Sequence, residues 1–174
     1  GGIFFFCQFT AAKDDVNLYL KPFGAELLRD LVEDPQHSFK SPTGFNLSYA
    51  YTANIADGHP VTEGVKGIWY NARTDLFHTS AIDVSKEWKI LVSGEASAVS
   101  ASVGGLNEEH IRKPGKFQSA PPILAAREFG AGSLILTGIS PMEAFYGQGL
   151  PAYLDIVMKK GDGMRQSDFG RLYE

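Results

Sequence analysis

The chain has 174 residues, of which 44% are hydrophobic and 21% are charged, and its formal net charge is −4. This size and balance are typical of one globular domain with a sizeable core, and they exclude a disordered chain. The mild negative charge and the scattered Lys and Arg residues also argue against a surface that binds nucleic acid. The single cysteine, Cys7, excludes an internal disulfide.

The apolar run near the N-terminus, residues 3–7, is too short to cross a bilayer and lacks the basic flank of a signal peptide. We therefore expect no membrane insertion by this segment. The chain starts at Gly1 without a methionine and ends at Glu174 without a clear stop signal. We interpret residues 1–174 as a single domain that is a segment of a longer polypeptide, and the composition does not indicate its compartment.

The first elements are predicted to follow a β-α-β order. Residues 3–9 are apolar without alternation, which is typical of a strand buried on both faces of a parallel sheet. Residues 14–23 predict a helix, because acidic residues stand at its start and Pro22 and Gly24 limit its end. Residues 25–32 form a second apolar stretch and are predicted to be a strand.

The middle of the chain is predicted to consist of loops and short strands. Pro and Gly residues mark residues 33–46 as a loop, and a Ser-rich and Gly-rich composition predicts a long loop over residues 94–121. Between these loops the sequence favours a helical turn at 61–65 and short strands at 47–55, 67–71, 81–84 and 88–93.

A β-hairpin is predicted near the C-terminus. Residues 122–128 and 133–139 are apolar strands around the Gly-rich turn 129–132. Residues 151–159 favour an amphipathic helix or an extended edge. The whole order predicts an α/β fold with a partly parallel sheet, which lacks one or two βα units before the first strand.

Four segments carry motifs that recur together in one superfamily. They are the Gly pair and strand at 1–6, the pattern Asn-x-apolar-Leu-x-x-Phe-Gly at 17–24, the His-Pro turn at 59–65 and the hairpin at 125–138. In this order they resemble the class I glutamine amidotransferase-like superfamily, in its divergent non-amidotransferase branches. The resemblance implies a flavodoxin-like three-layer sandwich with a mostly parallel sheet and a C-terminal β-hairpin.

The catalytic residues of that superfamily are altered in this chain. An active member needs a cysteine between glycines on a tight elbow and a His-Pro-Glu motif after the hairpin. Here Cys7 is flanked by Phe6 and Gln8, and Ser140 precedes Pro141 where the histidine should stand. We therefore expect no enzymatic activity. The alternative is a cysteine-dependent hydrolase or amidotransferase that uses Cys7 with a non-standard base.

A ligand pocket is predicted beyond the carboxyl ends of the strands, where open α/β sheets bind ligands. The side chains that follow the first strand and the last hairpin strand would rim it: Gln8, Thr10, Ser140, Glu143 and Tyr146. None of the four histidines has the spacing of a metal site, so we expect no metal and no cofactor. His59 is expected to bond the backbone of its own turn, and His78 is the histidine most worth following.

The sequence thus predicts a catalytically inactive amidotransferase-like domain that serves as a ligand-binding or protein-interaction module in a larger protein. Its partners would be other domains of the same polypeptide, a separate protein or a small molecule. A third hypothesis is a pure assembly domain, in which the aromatic residues Trp69, Tyr70 and Phe77 are buried at a subunit contact.

Overall fold

The computed structural model describes residues 1–6, 13–40, 48–73, 78–102 and 113–139. These residues form one α-helix and twelve strands, and two 3-10 turns at Lys21–Phe23 and Pro60–Thr62. In chain order the elements are β1 (Gly2–Phe6), α1 (Lys13–Leu20), β2 (Ala25–Leu27), β3 (Asp30–Glu33), β4 (Ser38–Lys40), β5 (Ser48–Thr52), β6 (Ile68–Arg73), β7 (Ile82–Val84), β8 (Lys89–Ser93), β9 (Val99–Ser102), β10 (Lys113–Pro114), β11 (Pro122–Phe129) and β12 (Gly132–Thr137).

The described strands form four small sheets rather than one large sheet. The largest has the order β1-β12-β11-β8, and the others are β10-β9-β3, β2-β7 and β4-β5-β6. Among the described strands, only β1 and β12 pair in parallel. The predicted flavodoxin-like three-layer α/β sandwich with a mostly parallel sheet is therefore wrong, and the described structure is mainly β.

The error came from the middle of the chain. A parallel sheet needs helical crossovers, whereas short strands joined by turns pair in antiparallel fashion. The two predicted loops contain strands β4, β9 and β10. β9 has the sequence Val-Ser-Ala-Ser, whose small residues give only a weak strand signal, and it pairs with both β3 and β10. The predicted strand at 25–32 is likewise two strands, β2 and β3, which belong to different sheets.

Strand β1 has the predicted parallel partner but not the predicted burial. It runs alongside β12 from the pair Gly2–Ser133 to the pair Phe6–Thr137. It lies at the end of its described sheet, and Ile3 and Phe6 are 53% and 43% exposed. The expectation of a strand buried on both faces was wrong. An aromatic run shows that a segment is hydrophobic, but it does not show whether the strand lies at the centre or at the end of its sheet.

The predicted C-terminal hairpin is confirmed. Strands β11 and β12 pair in antiparallel register up to the pair Phe129–Gly132, so the turn has two residues. Gly130 in this turn has a φ of 58°, a left-handed conformation that glycine adopts without steric strain.

The hairpin separates two hydrophobic clusters, one on each face of the largest sheet. Leu134 and Leu136 of β12 face the cluster that includes Leu20 of α1 and Trp88. Leu124 and Ala126 of β11 face the opposite cluster, which is built on buried residues of the other strands: Val32, Ile68, Tyr70, Leu91 and Val92. The hairpin is thus buried on both faces, as its apolar sequence predicts.

Helix α1 is attached to the fold by a side-chain amide. Asn17 is buried and donates to the carbonyl oxygen of Leu27 at 3.0 Å, while its own oxygen accepts from the Leu27 amide at 2.8 Å. The helix continues into the 3-10 turn and ends at Gly24, whose φ is 70°. The prediction of a helix ending at Pro22 and Gly24 is therefore confirmed, with a final 3-10 turn.

The two hydrogen bonds between Asn17 and Leu27 give a first testable prediction. In Asn17→Asp the donor is lost, and a buried carboxylate oxygen faces the Leu27 carbonyl. We expect the free energy of unfolding to fall by about 3 kcal/mol at neutral pH in urea denaturation. The control Asn54→Asp changes an exposed amide with one bond to Gly94 and should lose less than about 1 kcal/mol. Equal losses in both variants would contradict this role for Asn17.

Candidate functional site

The ends of β1 and β12 lie side by side, because Phe6 is in register with Thr137. Two predicted ligand residues, Gln8 and Thr10, follow β1 in sequence. The other three, Ser140, Glu143 and Tyr146, follow β12. These five residues and Cys7 lie outside the described residues, so their predicted roles stay predictions.

Residues 78–81, which we term the connector, cross the interior next to these strand ends. Their backbone groups bond to three separate parts of the fold. Thr79 N–H donates to Asn71 O at 2.9 Å, and Thr79 O accepts from Val32 N–H at 2.8 Å. Ser80 N–H donates to Gly138 O at 2.9 Å, and Ala81 O accepts from Leu28 N–H at 3.0 Å. The connector therefore joins β6, the β2–β3 segment and the end of β12. These bonds satisfy four of its backbone groups.

Gly138 makes this close packing possible. A Cβ atom on Gly138 would overlap the carbonyl oxygen of Ser80. A residue with any side chain would thus push the connector away from the end of β12. Glycine is needed here for the close approach of two backbones and not for its conformation, since no positive φ is found at this residue.

A buried ammonium group lies against the connector. Lys13, at the start of α1, is only 2% exposed, and its Nζ atom donates to Leu28 O at 3.1 Å and to Ser80 Oγ. A lysine side chain is expensive to bury unless its donors are bonded. These bonds fix the first turn of α1 to the connector and to the segment between β2 and β3.

A buried carboxyl group lies on the same connector. Asp30 of β3 is buried, and its Oδ1 atom accepts from the Ala81 amide at 3.0 Å. Its Oδ2 atom has no hydrogen-bond partner among the described residues. Burial raises the pKa of this carboxyl group, and the Ala81 amide and the Lys13 ammonium group act in the opposite direction.

His78 is the third ionisable group of this site. Its Nε2 atom is buried and has no hydrogen-bond partner in the part of the chain that the structure describes. Burial lowers the pKa of His78 to about 4, and the Lys13 ammonium group contributes to the decrease. His78 is therefore neutral at pH 7. The sequence singled out this histidine, and the structure places it near the buried ammonium group of Lys13.

A second polar cluster joins Asp34, His37 and Ser97, the residue types of a serine-hydrolase triad. His37 Nδ1 lies 3.0 Å from both Asp34 Oδ2 and Ser97 Oγ, and Ser97 Oγ also donates to Asp34 Oδ1 at 2.8 Å. A triad needs one ring nitrogen for the serine and the other for the carboxylate. Here the same nitrogen faces both groups, so the cluster is a structural tether of the Asp34–His37 turn.

Two further predictions from the sequence can be tested on the described residues. His59 does bond its own turn, because its Nδ1 atom accepts from the Val61 amide at 3.2 Å, and this prediction is confirmed. Tyr70 is fully buried in the core, which rules out the exposed contact that the assembly hypothesis needs from it. Trp69 packs against Tyr51 in a tilted arrangement with ring centroids 5.4 Å apart, and Phe77 lies outside the described residues.

The sequence analysis missed Lys13 and Asp30. The sequence around each residue contains a pattern that could have indicated its burial. A lysine in the first turn of a helix opposes the helix dipole, so it needs another partner. Asp30 stands directly before the apolar pair Leu31 and Val32 of a predicted strand, and such a residue is either exposed or paired.

Within the described ranges, no group of three His, Cys, Asp or Glu residues is placed to hold a metal ion. The same ranges contain no helix with the length and hydropathy needed to cross a membrane.

Comparisons with known proteins give a structural likeness. No family model and no curated protein match the chain. Among solved structures, one similar chain is titled "mmIFT52 N-terminal domain", with a TM-score of 0.50 and 12% sequence identity. The match covers 93% of this chain and 66% of that chain, so this chain spans just under two thirds of its length. At this identity the likeness concerns the fold alone.

The buried state of His78 predicts how stability depends on pH. Its pKa is about 4 in the folded chain and about 6.5 when unfolded. Between these values the unfolded chain binds a proton that the folded chain does not, so stability is lost as the pH falls. We expect the free energy of unfolding to fall by about 2 kcal/mol from this group between pH 7.5 and pH 5.0.

The measurement is chemical denaturation of the wild type and of His78→Gln at both pH values. The variant should lack the loss assigned to His78, while shared contributions such as that of Asp30 cancel in the difference. His37→Gln changes an exposed histidine and serves as the control. An unchanged pH dependence in His78→Gln would show that His78 is not held neutral in the folded state.

Proposed function

We propose that this chain is a non-catalytic protein-interaction module, which binds a protein partner or another domain of the same polypeptide through an apolar edge. The observation that supports it is an edge patch of four exposed apolar residues on β1 and beside the hairpin turn: Ile3 (53% exposed), Phe4 (36%), Phe6 (43%) and Phe129 (53%). Exposed clusters of large apolar side chains mark interaction sites more often than scattered ones do.

The aromatic rings of the edge patch pack in two groups, because Phe4 and Phe6 project to the face of the sheet opposite to Phe129. The rings of Phe4 and Phe6 lie 5.6 Å apart, and Phe129 packs edge-on against Phe23 at 5.2 Å. Arg127 lies over the Phe129 ring at 5.8 Å. Covering the exposed part of each phenylalanine would contribute roughly 2 kcal/mol to binding before the entropic costs of association.

The polar clusters of the described residues support a non-catalytic role. Ser97 is not placed as an activated nucleophile, because the same ring nitrogen of His37 faces both Ser97 and Asp34. Ser80 and Lys13 are close together but almost fully buried, so a substrate would not reach them.

Hydroxyl-radical footprinting tests the proposed interface. In the isolated chain, the side chains of Phe4, Phe6 and Phe129 should be oxidised readily. In the protein isolated from its native source under mild conditions, their oxidation should fall at least about fivefold, because a partner excludes water from the core of its interface. Leu18 and Tyr19 on α1 are matched controls, since they are 68% and 69% exposed and lie outside the edge patch. Equal oxidation of both sets in the native protein would refute the proposal.

A second candidate function is ligand binding beyond the carboxyl ends of β1 and β12. The adjacent ends of this parallel pair support it, since residues that follow the two strands start from the same edge of the sheet. On this proposal Gln8, Thr10, Ser140, Glu143 and Tyr146 contact the ligand. The resemblance to the glutamine amidotransferase-like superfamily remains a prediction from the sequence motifs.

The alternative of a cysteine-dependent enzyme is tested by alkylation of Cys7. A non-catalytic thiol should react with iodoacetamide with a midpoint at or above the ordinary thiol pKa of about 8.5. The unfolded chain in urea provides the reference rate. Faster labelling in the folded chain than in urea, with a midpoint below pH 7, would favour the enzyme.

A further inference from the structure

The two ends of the largest sheet differ in how they are protected against pairing with a further strand. At one end, β8 contains the exposed Lys89, its pairing with β11 has register shifts, and residues 54–56 bond to its backbone. Charges, bulges and covering segments are devices by which proteins protect the edges of sheets. At the other end, β1 contains no charged residue and no proline, and its register with β12 is unbroken. Within the described ranges, no strand pairs with the outer side of β1, the side opposite β12.

The outer side of β1 presents backbone groups suited to strand pairing. Ser133 N–H donates to Gly1 O at 3.3 Å, so the residues that bond to β12 are Gly1 and those two apart from it along the strand. Gly2 and Phe6 alternate with these residues and direct their N–H and C=O groups to the outer side. A strand placed there would continue the sheet.

Apolar side chains next to this edge lie on both faces of the sheet. Ile3 is in register with Leu134 and projects to the face that α1 covers, whereas Phe6 projects to the opposite face. Both side chains are exposed. A protein surface that packs flat on one face would cover only one of them. An added strand lies in the plane of the sheet, and its alternating side chains contact both.

The exposed apolar area is small for a contact between two folded surfaces. If a large apolar side chain presents about 200 Å², the exposed parts of Ile3, Phe4, Phe6 and Phe129 amount to roughly 400 Å². A stable interface between folded proteins covers about 800 Å² on each partner. A second copy packed face to face on this patch would therefore lack the necessary area. Strand addition needs less area, because main-chain hydrogen bonds supply much of its affinity.

We propose that β1 is a docking edge for an extended apolar segment of a partner protein, which pairs with the outer side of β1 as an additional strand. The segment bonds to the backbone of Gly2 and Phe6, and its side chains cover Ile3 on one face and Phe6 on the other. The partner segment therefore has apolar residues at consecutive positions. This inference rests on the proposed interaction function and specifies the kind of partner.

Peptide binding to the whole chain tests the docking edge. The probe is Lys-Val-Phe-Val-Phe-Val-Lys with N-methyl groups on alternate amides, which block one edge of the extended peptide and leave the other free to pair. The control has the same side chains and is methylated on both edges. In titration calorimetry the control should bind at least about tenfold more weakly, because it has lost its inter-strand donors. Equal affinities, or no binding of the probe at about 1 mM, would overturn the docking edge.

Two variants test whether the probe contacts both faces. Ile3→Lys and Phe6→Lys place a charge on opposite faces, and each should weaken binding of the probe at least about fivefold. Leu18→Lys is the matched control, because Leu18 is an exposed apolar residue of α1, and it should change the affinity less than about twofold. Weaker binding in only one of the first two variants would place the probe on one face and contradict strand addition.

Hydrogen exchange of the chain without the probe shows whether the edge is already occupied. The amides of Gly2 and Phe6 should exchange rapidly, and saturation with the probe should slow them at least about tenfold. Protection without the probe would overturn the proposal. Protection that depends on protein concentration would identify a second copy as the occupant, and protection that does not would identify another segment of this chain. Failure of the proposed interaction function is a separate result, equal oxidation of edge patch and controls in the native protein.

Discussion

The described structure depends on one constraint: the buried backbone N–H and C=O groups of the connector need hydrogen-bond partners. Three buried residues of the connector, Thr79, Ser80 and Ala81, bring together β6, the β2–β3 segment and the end of β12 through directed hydrogen bonds. A buried amide or carbonyl group without a partner destabilises a fold by about as much as a lost hydrogen bond. The small sheets on either side are thereby held together without extensive pairing between them.

The ionisable groups on the connector follow from this arrangement. Lys13 supplies donors where Leu28 and Ser80 present oxygens, and Asp30 supplies an acceptor for the Ala81 amide. Because these groups are desolvated, the pKa of Asp30 is raised and that of His78 is lowered. The pKa shifts of the site are thus a result of its burial. The same groups in water would titrate at their ordinary values.

Local elements with strong turn or cap signals were predictable from the sequence. The hairpin with Gly130, the helix end at Gly24 and the His59 turn have the expected conformations, because each depends on residues a few positions apart. Sheet membership was not predictable. Whether Val99–Ser102 is a loop or a strand is decided by β3, which is distant in sequence, and such pairing leaves little local pattern. The predicted parallel α/β fold failed for this reason.

The candidate site was predicted only in part. His78 stood out among the histidines, but Lys13 and Asp30 are common surface residue types, and their burial depends on a backbone that the sequence did not predict. The five predicted ligand residues and Cys7 follow β1 and β12, which pair in parallel, but the rule that chose them applies to open α/β sheets and the described structure is mainly β. Their predicted contacts with a ligand rest on the sequence.

The pairing of β1 with β12 has a consequence for how the chain folds. Gly2 pairs with Ser133, so β1 reaches its place in the sheet only after most of the described chain has been synthesised. Contacts between distant residues slow folding, and unpaired strands are prone to aggregate meanwhile. The aromatic residues of β1 are therefore without their strand partner until β12 has been synthesised, and a chaperone that binds short apolar segments would bind them during this interval.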